Sequence, residues 1–250
     1  MDDRQFVNHR WRKLTYISNA MINKYLHLFY EILKINFAYS AYLNFRHFGF
    51  VGLLKMPVII QYGSTISCKS KNGLSFLKPL KLNMLKIGYG NKIEVDKGGK
   101  LQFSGDKACF NKNNSVSVCN SGIFEIGQNF WANTNSDFHC KKRLKFGDDV
   151  LIGMHVLIMD TDYHPIFNKQ KEIINPDRDI LMGNKVWIGS NTTILKGTQI
   201  GNDIIIGAGS IVSGKLLEDN SIYCGNPVKH VKNDITWCIT HPDFWEARKS

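Results

Sequence analysis

The stretch MGNKVWIGSNTTILKGTQIGNDIIIGAGSIV, residues 182–212, carries an apolar residue at every sixth position: Met182, Ile188, Ile194, Ile200, Ile206 and Val212. Glycine follows directly at Gly183, Gly189, Gly201 and Gly207. A helical face repeats every three or four residues and a half-buried strand every two, so a sustained period of six requires a turn inside each unit. A parallel β-helix meets that requirement. Each hexad is one short strand plus a corner, and three hexads close a triangular coil that pairs with its neighbours. The leading residue points into the prism. Val186, Thr192, Thr198, Ile204 and Ser210 fit the remaining corner space, and glycine relieves the corner backbone.

Outward from this stretch the period weakens but persists. Ile126, Ala132 and Phe138 keep the spacing, and Ile152 and Ile158 resume it after a small insertion. Between Ile66 and Phe124 it is degenerate, visible in Ile87-Gly88, Ile93-Glu94-Val95 and Leu101-Gln102-Phe103. Residues 160–180 break the repeat, and a solenoid insertion leaves the stack as a loop, often on the binding face. The expected organisation is a basic, aromatic, helical region over residues 1–56, a β-helix over 57–232 with an active-site loop at 160–180, and a C-terminal tail over 233–250. The N-terminal region mixes aromatics such as Trp11, Tyr30 and Phe37 with Arg10, Lys24 and Lys34. It suits a cap on the solenoid end, or contact with a membrane surface near an anionic or lipid-linked substrate.

With 250 residues, 43% of them hydrophobic, the chain can build a sizeable core. Its six cysteines show no Cys-x-x-Cys spacing, so reduced structural thiols are expected, with no metal site and no disulfide frame. No apolar run reaches the roughly 18 to 20 residues that span a bilayer, and the start Met1-Asp2-Asp3-Arg4 lacks a signal-peptide pattern. A cytoplasmic location, with possible contact at the inner face of the plasma membrane, is the expectation. The net charge of +11 favours anionic partners such as glycans, anionic lipid or nucleotide phosphates. No nucleic-acid-binding motif is present.

Several runs resemble the hexapeptide-repeat acyltransferases: Ile188-Gly-Ser-Asn, the Ile206-Gly-Ala-Gly-Ser-Ile-Val block, Gly225-Asn-Pro, and a His-Pro loop before the last coils. Ile126-Gly-Gln-Asn-Phe-Trp-Ala-Asn-Thr-Asn is similar to a coil of the galactoside and maltose O-acetyltransferases. Met159-Asp-Thr-Asp-Tyr-His-Pro and Tyr42-Leu-Asn-Phe-Arg with Lys55-Met-Pro resemble bacterial capsule and lipopolysaccharide O-acetyltransferases. The resemblance implies an all-β, left-handed β-helix, a homotrimer, and acetyl-CoA bound in clefts between subunits. It also implies direct transfer of acetyl to a sugar hydroxyl of a surface glycan.

On that resemblance His164 is the general base. An imidazole, with a reference pKa of about 6.5, can take the hydroxyl proton and return it to the departing thiolate. His139 and His155 sit in or beside ordinary hexads and are expected to be structural. Asp160 or Asp162 is available to orient the imidazole, with Asp162 also at the substrate. The family pattern assigns Trp187 to the acceptor and acetyl-CoA cleft, the Ser190 backbone N–H to the oxyanion, and Asn133 to the acceptor sugar, whose hydroxyls suit an amide that both donates and accepts. Gly189, Ala208, Gly209 and Ser213 would line the pantetheine slot. Lys215, Lys229 and Lys232 would meet the phosphates. The usual Thr-Lys after the Gly-Ala-Gly-Ser block reads Ser213-Gly214-Lys215 here, displacing the lysine by one position. Two other readings stand beside this one. The first is N-acetylation of an amino sugar, disfavoured by the lack of Gly-x-Gly-x-x-Gly near the start. The second is a non-catalytic solenoid that binds anionic glycan or membrane.

Overall fold

A computed structural model describes residues 40–42, 58–60, 65–68, 74–76 and 84–239. The expected N-terminal helical region falls almost wholly outside them. The described part is a stack of strands: β1 Val58–Ile60, β2 Thr65–Cys68, β3 Leu74–Phe76, β4 Met84–Ile87, β5 Lys92–Val95, β6 Lys100–Phe103, β7 Lys107–Phe110, β8 Ser115–Val118 and β9 Ile123–Ile126. It continues through β10 Phe130–Ala132, β11 Asp137–Cys140, β12 Arg143–Phe146, β13 Leu151–Ile152, β14 Leu157–Met159, β15 Ile180–Met182, β16 Val186–Ile188 and β17 Thr193–Leu195. The last strands are β18 Gln199–Ile200, β19 Ile204–Ile206, β20 Ile211–Val212, β21 Lys215–Leu216, β22 Ser221–Cys224 and β23 Lys229–Lys232.

Every third strand pairs in parallel, giving three sheets that form the walls of a prism. Sheet 1 runs β1-β4-β7-β10-β13-β16-β19-β22-β23, sheet 2 runs β2-β5-β8-β11-β14-β17-β20, and sheet 3 runs β3-β6-β9-β12-β15-β18-β21. We call the corner from sheet 1 to sheet 2 the first edge, from sheet 2 to sheet 3 the second, and from sheet 3 back to sheet 1 the third. β23 pairs antiparallel with β22 and closes the C-terminal end of sheet 1.

The six-residue period has the expected meaning. Ile188, Ile194, Ile206 and Val212 are fully buried, as are Val186, Thr198, Ile204 and Ser210. Trp187 pairs with Ile205, eighteen residues on, which is three hexads. Farther back a coil is longer: Leu85 pairs with Ala108, twenty-three residues on. A longer coil encloses a wider section, and interiors pack to near-crystalline density, so the side chains there are larger. Phe103, Phe110 and Phe124 fill the prism where the hexads read as degenerate, and Phe130, Phe138 and Phe146 fill the coil that follows.

Side-chain ladders hold the edges in register. On the third edge Asp148, Asn184, Asn202 and Asp219 each accept a backbone N–H from the preceding coil through Oδ1, at 2.7–2.9 Å. Inside the first edge Asn91 Oδ1 accepts the Asn114 N–H and Asn114 Oδ1 the Ser136 N–H. These buried amides satisfy backbone groups that the corners take out of the sheet ladders. At Gly189 a Cβ would stand 2.5 Å from Ala208 N and 2.7 Å from Ile206 O, so the next coil leaves room only for hydrogen.

The cysteine side chains at 109, 119, 140 and 224 form no disulfide. Burial pushes the Cys109 thiol up to about 11, which keeps it protonated and unreactive. No helix among the described residues is long and apolar enough to cross a membrane. The described part of the tail, 233–239, is not helical and lies along the third edge.

Candidate active site

The excursion leaves β14 at the second edge and returns at β15. Its base is clipped shut by Asp160. That carboxylate is fully buried and accepts the N–H groups of Lys141 and Lys142, each at 2.8 Å. The Asp160 carbonyl accepts the Arg178 N–H at 3.1 Å, joining the two ends of the insertion. Exposed ion pairs Lys141–Asp177 and Lys142–Asp179, both 3.3 Å, lie alongside. Burial raises the Asp160 pKa, against the opposing pull of its backbone N–H bonds. Asp160→Ala strands two buried donors and is expected to cost about 2 kcal/mol, read by denaturant unfolding. A raised carboxyl pKa means that the fold binds the proton more tightly than the unfolded chain. This group's contribution is therefore largest below about pH 4 and is lost as pH rises through the raised value. Asp160→Asn does not titrate, so its stability relative to wild type should improve between pH 4 and 7; a constant difference would contradict that assignment.

Beyond the base, the excursion is organised by contacts between coils. Lys196, whose side chain is 11% exposed, ion-pairs with Asp162 at 2.5 Å and donates to the Asn175 carbonyl at 2.7 Å. Asn175 Nδ2 donates to Asp162 Oδ2 at 2.8 Å and to the His164 carbonyl at 2.9 Å. The hydrogen bond from Lys196, followed by that from Asn175, holds the Asp162 carboxyl below its usual range. Tyr163 has φ 58 and turns its ring back over sheet 2, where its hydroxyl and His139 Nδ1 hydrogen-bond at 2.8 Å. Burial raises the Tyr163 pKa, with the neighbouring Cys119 as the next cause, so the hydroxyl stays protonated.

His164 follows, exposed, with its N–H donating to the Asp162 carbonyl at 2.7 Å. Among the described residues nothing hydrogen-bonds to its imidazole. Neither Asp160 nor Asp162 orients that ring: the first clips the excursion and the second binds Lys196 and Asn175. Sequence reasoning missed Lys196, Asn175 and Tyr163, and it placed His139 as structural without its partner.

The other expected site residues gather mainly on the first edge. Stacking places Asn133 under Gly153 and Gly189, and Thr134 under Met154, Ser190 and Ala208, as the register of β10, β13, β16 and β19 requires. The next position is left-handed in every coil, at Asn135, His155, Asn191 and Gly209 (φ 58, 55, 57 and 71), which explains His155 as a corner residue. Ser190 Oγ accepts the Met154 N–H at 3.1 Å and the Ser190 carbonyl accepts the Gly209 N–H at 2.9 Å. Among the described residues nothing accepts from the N–H of Ser190 or of Ala208. The edge thus presents two backbone donors, one coil apart, beside exposed Ala208 and Gly209. Asn133 Oδ1 accepts from Trp131 Nε1 at 3.2 Å, which leaves the amide donors of Asn133.

Trp187 is the central residue of β16 and is 39% exposed on the outer face of sheet 1. Ser213 is exposed on the second edge, Lys215 on β21, and Lys229 and Lys232 on β23, all without ion-pair partners among the described residues. Within one chain, then, His164 and the Ser190–Ala208 donors stand at opposite edges of sheet 2. The donor set suits a phosphorylated, amide-containing chain such as CoA: N–H groups without acceptors among the described residues along a small-residue edge, with cations near the end of the stack. Among the described residues no group of three or more His, Cys, Asp or Glu side chains gathers to hold a metal ion.

Comparison with known proteins agrees with this architecture. Residues 179–214 match the family described as bacterial transferase hexapeptide (six repeats). Repeat and prism together define a hexapeptide-repeat β-solenoid. The chain is 36% identical over 110 residues to the galactoside O-acetyltransferase of Escherichia coli (strain K12), covering 43% of this chain and 52% of that one. It is 38% identical over 101 residues to the polysialic acid O-acetyltransferase of Escherichia coli O1:K1 / APEC, covering 40% and 33%. The chain thus spans between a third and about half of these relatives' own lengths. The crystal structure of the polySia-specific acetyltransferase NeuO superposes with a TM-score of 0.53 at 22% identity, over 76% of this chain and 100% of that one, a likeness of fold.

Proposed function

We propose that this chain is an acetyl-CoA-dependent O-acetyltransferase that transfers acetyl directly to a sugar hydroxyl of a bacterial surface glycan, of the capsule or lipopolysaccharide kind. The observation that carries the reading is the pairing of two unsatisfied groups: the exposed imidazole of His164 and the Ser190 N–H. One suits removal of the hydroxyl proton, the other negative charge on the carbonyl oxygen. The curated relatives, both named as O-acetyltransferases of sugars, support the same chemistry.

In this mechanism acetyl-CoA supplies an activated thioester along the first edge, where the Ala208 N–H and the exposed Gly209 accept an extended chain; Gly189, expected in that slot, is instead buried against the next coil with its N–H bonded to the Ile206 carbonyl. Asn133 holds the acceptor by its amide donors. His164 takes the proton from the attacking hydroxyl and returns it to the departing thiolate, with no acyl-enzyme. Because the base and the oxyanion donor lie at opposite edges of sheet 2, a second copy of the chain brings its edge alongside to complete the cleft. A homotrimer is the closed arrangement proposed.

The test incubates purified protein with labelled acetyl-CoA and a panel of galactosides, oligosialic acids and lipopolysaccharide fragments, with mass determination of the product. An ester, released by hydroxylamine, is expected. An amide product, or no transfer to any sugar with CoA still bound, overturns the reading. Light scattering should give three chains per particle; a catalytically active monomer would remove the shared cleft.

A further inference from the structure

We propose that Trp237, in the C-terminal tail, is an acceptor-binding residue that joins Trp187 in an aromatic platform for a sugar ring. The proposal deepens the function above and rests on it for the class of ligand.

The two indoles meet on the outer face of sheet 1, ring centroids 5.9 Å apart and planes at 47°. Trp187 belongs to an apolar outer column in register with Leu151, Ile205 and Ile222. The matching column of sheet 3 carries Gln102, Glu125, Lys145, Leu181, Gln199 and Lys215, polar but for Leu181. Sheet 1 thus offers an unbroken apolar column outward from Leu151 to Ile222, and Trp237 lies on it half-buried while Trp187 remains 39% exposed.

Three successive coils fix the tail that delivers Trp237. Its Nε1–H donates to the Lys185 carbonyl at 2.8 Å, Thr236 Oγ1–H to Asp203 Oδ2 at 2.7 Å, and the Ile235 N–H to the Asn220 carbonyl at 3.0 Å. Lys185, Asp203 and Asn220 are the left-handed corner residues of the third edge, with φ 58, 52 and 56. Lys185 Nζ also bonds Asp203 at 2.9 Å and meets Thr236. The single donor of the Trp237 ring is therefore already engaged, and what the ring offers a ligand is its face. A ring fixed in advance loses little entropy on binding.

A pyranose fits such a surface, with an apolar C–H face against the indoles and hydroxyls directed to the rim. Position favours the acceptor over the donor. Trp187 is followed along its strand by the first edge, where Ser190 and Ala208 would hold the acetyl donor. Trp237 approaches from the other side, the third edge. The sugar ring would lie on sheet 1 with its reactive hydroxyl directed toward the first edge.

The experiment compares wild type, Trp237→Ala and Trp237→Tyr, first by tryptophan fluorescence with methyl β-galactoside and with oligosialic acid, without acetyl donor, and then by steady-state kinetics with the sugar that wild type acetylates. Trp237→Ala should weaken sugar binding and raise the acceptor KM about three- to tenfold, as expected of one aromatic contact. The Kd for CoA, measured by titration calorimetry, and the thermal transition should stay near wild type. Trp237→Tyr should recover most of the loss. An acceptor KM unmoved in Trp237→Ala, or a loss confined to CoA affinity, overturns the platform while leaving the transferase intact. Absence of acetyl transfer by wild type defeats the proposed function instead, and fluorescence untouched by either sugar then defeats the platform as well.

Discussion

Replacing His164 by alanine should lower kcat by two orders of magnitude or more, a loss of about 2.7 kcal/mol of barrier lowering, while CoA binding persists. The substitution is clean. The His164 backbone is held by the Asp162 carbonyl and by Asn175 Nδ2, and both bonds involve main-chain atoms that alanine keeps. The ring is exposed and has no hydrogen-bond partner among the described residues, so its removal leaves no cavity and no orphaned donor. Fold and thermal transition should therefore match wild type. Since the proposed CoA residues stand on the first edge, at the other side of sheet 2, calorimetric affinity for CoA should also be unchanged. Thiol release in the presence of acceptor is the measurement. Turnover within a fewfold of wild type means that this imidazole moves no proton, and the edge donors alone would then have to account for the rate. Lost CoA affinity would place the ring at the cofactor instead.

The prism was legible because its core is periodic. Inward-facing residues recur every six positions from Met182 to Val212, and that spacing depends on strand and corner geometry alone. Where coils lengthen, as between Leu85 and Ala108, the corners take up extra residues and the period blurs, although the same walls continue. The corners were legible only in part: glycine was expected to relieve them at Gly183, Gly189, Gly201 and Gly207, whereas the left-handed positions fall at Asn135, His155, Asn191 and Gly209, and Gly189 is required by the close approach of the next coil. The excursion was legible only as a break in the period. Its internal order comes from contacts such as Lys196 with Asp162 and Tyr163 with His139, which join residues from different coils. Nothing in a polar loop distinguishes an aspartate that clips a chain from one that is merely solvated. Asp160 and Asp162, two residues apart, do different work because one points into the prism and the other out. The tail was opaque for the same reason, since Trp237 owes its place to three corners distant in sequence.

Phe138→Ala should be the most damaging substitution for the fold, costing about 3–5 kcal/mol. Phe138 on β11 is 1% exposed and stands among four other rings: Phe110 at 6.0 Å, Phe124 at 5.8 Å, Phe130 at 6.3 Å and Phe146 at 6.4 Å between centroids. Those rings come from two successive coils, β7–β9 and β10–β12, so half of the lost contacts are ones that fasten neighbouring units together. In a solenoid stability is close to a sum of unit and nearest-neighbour terms, and a cavity at such a junction weakens its own coil together with the interface to the preceding one. Relaxation is limited because β11 is tied in register to β8 and β14 on either side. For a chain of this length the midpoint should fall by roughly 10 °C. Phe138→Leu, which keeps most of the volume, should recover much of the loss. His139 is the next residue and faces outward to Tyr163, so any shift of β11 also disturbs the footing of the excursion. Thiol release by Phe138→Ala should therefore decline at temperatures below its unfolding transition. A stability loss under about 1 kcal/mol would mean that the four remaining rings close over the gap, and that the wide coils are held by their edge ladders rather than by aromatic packing.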